Sequence, residues 1–158
     1  MAHDAHAHDG ERESLDRLAL TATGHCLTGC LIGEVAGMAI ATALGWSNAA
    51  SFALAVGLAF FFGYALTLQP VVRARVPLRR ALRLAFASDT ASIAVMEAVD
   101  NGFILIVPGA IDAELGDALF WWSLLLGFVI AFVVTFPLNR WLIGRGKGHA
   151  QLHAHHGR

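Results

Sequence analysis

Charge is scarce in this chain: Asp, Glu, Lys and Arg make up 15% of its 158 residues, and the formal net charge is −1. With 56% hydrophobic residues and a mean hydropathy of +0.59, that scarcity excludes an ordinary soluble domain of this length. Cysteine is limited to Cys26 and Cys30, so no second pair exists to relay electrons from a first. The opening residues are polar and acidic, without the basic n-region and cleavage site of a signal peptide, and the first apolar segment is therefore expected to stay in the mature chain.

What is present is apolar and arranged in four runs, about Leu18 to Leu44, Ser47 to Gln69, Ser88 to Val107 and Leu119 to Ile143. Each is long enough to cross a hydrocarbon core of about 30 Å. The expected fold is all-α, a polytopic membrane protein with four transmembrane helices over residues 18–143. A polar His-containing tail occupies residues 1–17 and a His-rich tail residues 144–158. Pro70 is expected to end the second helix, and the segment Val71 to Ala87, with five arginines among Val, Leu and Ala, to form an amphipathic helix on the inner surface. The lipid bilayer is the expected partner, and nucleic acid is not.

Arginine sets the orientation. Arg73, Arg75, Arg79, Arg80 and Arg83 lie in the second link and Arg140, Arg145 and Lys147 at the C-terminal end, whereas the other two links contain no Lys or Arg. Both termini are thus expected in the cytoplasm of a bacterium, with the domain in the inner membrane. Trp46, Trp121 and Trp122 then fall at the outer boundary and Trp141 at the inner one, where indoles prefer to sit.

The candidate site lies on the first and third runs. At helical spacing Cys26, Cys30 and Glu34 form one stripe about 12 Å long, and Gly29, Gly33 and Gly37 form a groove beside it. In the third run Asp89, Ile93, Met96, Glu97 and Asp100 share a face. Counting from the inner ends puts Cys30 near Met96 and Glu97, Glu34 near Asp100, and Cys26 near Ser92. Asp89, following Ser88 before an apolar run, reads first as an N-cap, and Cys26 and Cys30 read equally as small hydrophobes. Glu34, Glu97 and Asp100 do not reduce to packing. An acid at the bilayer centre costs at least about 2.5 kcal/mol, so without a base it must be protonated, hydrated or bound to a cation.

Two thiols, a thioether and an imidazole at the depth of those acids point to copper, zinc or ferrous iron rather than to a hard cation alone. The expected metal ligands are His25, Cys26, Cys30, Glu34, Met96, Glu97 and Asp100. His3, His6 and His8, with His149, His153, His155 and His156, are either collectors of metal at the cytoplasmic entrance or plain polar tails.

The runs HCLTGCLIGEVAG, DTASIAVMEAVDN and FWWSLLLGFVIAFVVTFPLNRWLIGRGKGHA resemble a bacterial membrane family catalogued as domain of unknown function 4396, over about residues 22–150. The resemblance implies four helices and supplies no catalytic or binding residues. From the residues, the leading expectation is transport or handling of a transition metal, copper before zinc or iron. A homo-oligomer joined through the glycine groove is expected, although the groove can equally serve the third helix of one chain. A thiol redox enzyme coupled to quinone and a proton or alkali-cation channel are the alternatives, and an enzyme is the less favoured class.

Overall fold

A computed structural model describes residues 2–73 and 78–145, and the described residues contain helices and no strand. The helices are α1 (Ala2–Ala43), α2 (Asn48–Arg73), α3 (Leu78–Ile106) and α4 (Ala118–Gly144), with a short 3-10 turn at Ala110–Asp112. Three of them are long and apolar enough to cross a membrane, over Glu13–Ala43, Asn48–Gln69 and Ala118–Gly144. The protein is therefore a membrane protein of helical architecture. Large apolar side chains such as Leu20, Phe61 and Val133 are exposed, which is unfavourable in water and ordinary against acyl chains.

Three boundaries differ from the sequence expectation. Residues 2–17 continue α1 without a break, so that helix alone would be about 63 Å long. The polar tail is an extension of the helix, because its Ala, Glu, Arg and Leu residues are good helix formers. α2 runs through Pro70 to Arg73, and no separate helix stands between α2 and α3 among the described residues. Arg79, Arg80 and Arg83 instead occupy the opening turns of α3, while Arg75 lies outside the described residues. Asp89 consequently sits inside α3 and is no cap. The histidines from His149 to His156 also lie outside the described residues.

The α1–α2 link is set by local chemistry. Gly45 adopts φ 63°, its N–H donates to Thr42 O and the Trp46 N–H donates to Ala41 O, the paired bonds of a Schellman stop. Helices adjacent in the chain pack against each other and α4 returns to α1, so the four form a ring in which α1 and α3 also touch across one diagonal. Gly29, Gly33 and Gly37 lie against Gly63, Ala59 and Ala55 of α2. The groove expected to serve a second copy or the third helix is thus filled by α2, whose own small residues repeat every four positions.

At one end of the ring Arg140 of α4 pairs with Asp16 of α1, and the Arg145 guanidinium lies 4.3 Å from the centre of the Trp141 ring. At the other end Asn48 Nδ2 donates to Asp112 Oδ1 at 2.9 Å and Trp121 Nε1 to Leu115 O at 2.9 Å. The Arg140–Asp16 ion pair is exposed and contributes little beyond fixing the helix ends.

Candidate intramembrane polar site

The diagonal between α1 and α3 is where the polar side chains meet. Helical periodicity turns Cys26, Cys30 and Glu34 of α1 inward, and the same periodicity turns Asp89, Ser92, Ile93, Met96, Glu97 and Asp100 of α3 toward them. All nine are buried, with Cys30, Met96 and Asp100 at 0% exposure. The outward positions of α3 include Ala91, Ala94 and Ala98.

Three levels follow one another along the axis. The Cys30 thiol and the Glu97 carboxyl are neighbours. One turn along, the Glu34 and Asp100 carboxyl groups are neighbours across the diagonal. On the opposite side Cys26 neighbours Asp89, the residue one turn before Ser92. Asp100 rests on α4 at Gly127, where an added Cβ would collide with Asp100 Oδ1 and stand 3.0 Å from its Cγ. That glycine admits the carboxyl to the interior.

Donors are few. Asn101 Nδ2 donates to Glu97 Oε2 at 3.2 Å, but Glu97 Oε1, Glu34 Oε1 and both Asp100 oxygens receive no hydrogen bond, and among the described residues no Lys or Arg pairs with them. Both cysteines are free thiols. His25 is not brought to this cluster. It is exposed on the outside of α1, with Nδ1 bonded to Thr21 O at 3.0 Å, because one residue of helix turns a side chain about 100° away from Cys26. Among the described residues no group of three or more His, Cys, Asp or Glu side chains is gathered tightly enough to hold a metal ion as it stands. The arrangement is a ladder of facing pairs.

Below the ladder is a tie that spacing alone did not reveal. Asn139 Nδ2 donates to Thr23 Oγ1 at 2.9 Å, and the Ser92 hydroxyl donates to Asn139 Oδ1. One amide thereby joins α1, α3 and α4 in the interior. The available signal was the stripe Gly127, Ala131, Thr135 and Asn139 at four-residue intervals, whose members are all buried. Replacing Asn139 by alanine removes both hydrogen bonds of this tie, and each hydrogen bond lost from the interior costs about 1 kcal/mol. Thermal unfolding in detergent should show that loss, while Asn101→Ala, at a half-buried position, should change stability by less.

A family model described as Domain of unknown function (DUF4396) matches residues 17–148. No curated protein and no solved structure matches the chain.

Proposed function

Because the chain belongs to the DUF4396 family, whose description assigns no activity, its chemistry has to be read from its own side chains, and we propose that it binds a transition-metal cation within the bacterial inner membrane and transports or hands it on. Copper is preferred over zinc or iron. The observation that carries this reading is the meeting of Glu34 with Asp100 and of Cys30 with Glu97 on the α1–α3 diagonal, with carboxyl oxygens that have no donor and no base beside them. Such a cluster favours a positive ion. A thiol at Cys30, a second at Cys26 and the buried thioether of Met96 favour a soft one. Cu(I) accepts low coordination numbers, so a facing pair with one added soft ligand suits it better than zinc, which favours four ligands.

The reading includes four spans with both termini inside. α3 is 29 residues long, about 43 Å, and its acids point into the ring, so a bilayer would meet mainly alanine and the exposed Leu105 and Ile106. Its arginine-bearing first turns then lie at the cytoplasmic surface and take the place of a separate amphipathic helix. The ion pair of Asp16 with Arg140 supports a common side for the inner ends of α1 and α4. Nothing in the filled glycine groove calls for a second copy.

Protein purified without added metal is expected to carry copper near one equivalent by elemental analysis. Cys26 and Cys30 should react with a small alkylating reagent at least about tenfold faster after removal of copper by a strong chelator, since metal-bound thiolate is withheld from the reagent. Equal rates in the two states and no stoichiometric metal would end the metal reading. A stable Cys26–Cys30 disulfide that cycles with quinone would replace it by thiol redox chemistry.

A further inference from the structure

A groove runs along the outside of the ring between α1 and α4. Leu27 of α1 and Leu125, Phe128, Val129, Phe132 and Val133 of α4 line it, enclosing about 220 Å³. Leu125, Val129 and Val133 are exposed, so the groove opens outward. One helix face leads from it to a charged pair. Along α4, Leu125, Val129, Phe132, Phe136 and Arg140 recur at helical spacing, and along α1 Asp16, Leu20 and Leu27 do the same. Contacts fix both ends of this line: Leu27 lines the groove with α4, and Asp16 accepts from Arg140 Nε. Between them Leu20 is exposed, and the Phe132 and Phe136 rings stack with centroids 6.2 Å apart.

The spacing matches one lipid. Val133 and Leu125 stand about 10 and 22 Å along α4 from Arg140, and Leu27 stands about 16 Å along α1 from Asp16. One leaflet of a hydrocarbon core of about 30 Å is about 15 Å deep. The groove therefore lies at the depth of an acyl chain whose headgroup meets Arg140 and Asp16. Trp141, beside Arg140 and half exposed, suits the same headgroup level.

We infer that this face of α1 and α4 binds one diacyl phospholipid with an ethanolamine headgroup, an acyl chain in the groove and the headgroup on Arg140 and Asp16. The charges select the headgroup. Side-chain exposures of 42% for Arg140 and 51% for Asp16 leave both accessible. The bond to Asp16 uses the Nε hydrogen, one of five guanidinium donors, and a guanidinium matches phosphate oxygens bidentately. The carboxylate beside it accepts from a primary ammonium, which has N–H donors, whereas a choline headgroup has none. A glycerol headgroup leaves the phosphate charge unbalanced next to that carboxylate. The position is independent of the proposed metal site on the α1–α3 diagonal.

The test is binding of phosphatidylethanolamine, phosphatidylcholine and phosphatidylglycerol with identical acyl chains to the full chain in detergent micelles, read by native mass spectrometry. One equivalent of the ethanolamine lipid should bind at least about tenfold more tightly than either other lipid, since a charge-assisted hydrogen bond distinguishes them. Asp16→Asn keeps size and removes the carboxylate. Folding should survive, because an exposed ion pair contributes little to it, and the preference for ethanolamine over choline should vanish. Val129→Trp fills the groove from the lipid side, so it should weaken all three lipids by a similar factor. Equal affinities in the unmodified chain, a preference retained in Asp16→Asn, or undiminished binding by Val129→Trp overturns the inference. A dimer that persists in excess phospholipid and is lost in Val129→Trp also overturns it, with a second copy as the occupant.

Discussion

Leucine at position 33 is expected to prevent α1 from docking on α2. An added Cβ at Gly33 would collide with the backbone nitrogen and Cα of Ala59 and stand 2.6 Å from the carbonyl carbon of Leu58, and those atoms belong to a helix that cannot yield locally. The neighbouring positions offer no relief, since a Cβ at Gly29 would lie 2.6 Å from Gly63 Cα and one at Gly37 would lie 2.5 Å from Ala55 Cα. Helices in lipid associate through close packing of small residues more than through hydrophobic exclusion, so separating these two removes the main attraction between them. The loss should exceed the usual overpacking cost of about 1–3 kcal/mol and appear as a missing folded peak in size-exclusion chromatography. Gly24→Ala is the matched control: a Cβ there meets nothing within 4 Å, and alanine in a helix gains about 0.5–1 kcal/mol over glycine. Normal folding of Gly33→Leu would mean that α1 and α2 do not need this contact.

Cys30→Ser and Glu34→Gln, at adjacent levels of the ladder, are expected to separate cation chemistry from packing. Serine shortens and hardens one ligand with little change of volume, so copper affinity should fall at least about 100-fold while the melting temperature moves little. Glutamine keeps the shape of Glu34 and removes its charge. Because Glu34 is 6% exposed and its Oε1 has no donor, the apo protein should be as stable as before or more stable, with cation binding or transport reduced. Isothermal titration with copper and thermal unfolding read both effects. Loss of cation function in Glu34→Gln with none in Cys30→Ser would favour a proton or alkali-cation path through the acids. Destabilisation by both, without any effect on a cation, would make the stripe a packing feature.

Much of the ladder is legible from spacing. Residues four apart on a helix share a face whatever surrounds them, so the stripe Cys26, Cys30, Glu34 and the face containing Met96, Glu97 and Asp100 follow from the chain alone. Counting inward from the ends of two parallel helices also places Cys30 beside Glu97 and Glu34 beside Asp100, since rise per residue is constant. His25 shows the limit of that reasoning. Depth was enough to associate it with the thiols, but azimuth turns it about 100° away from Cys26, and its ring is exposed and bonded to Thr21 O. Asp89 shows another limit, because Ser88-Asp89 has the composition of a cap and only the continuation of α3 back to Leu78 excludes it.

The amino-acid sequence by itself determined a membrane protein of helices, the inward faces of two of them, and a set of acids on those faces, because hydropathy, helical period and charge are properties of the residues. Tertiary structure decided what each face meets. A glycine groove states that something approaches closely without naming it, and only the ring closure identified Ala55, Ala59 and Gly63 of α2 as its occupants. The Thr23–Asn139–Ser92 tie likewise joins residues separated by as many as 116 positions, and the orphaned hydroxyl of Thr135 is visible only once three helices surround it. Periodicity fixes direction within one helix, and contact between helices depends on how their surfaces fit.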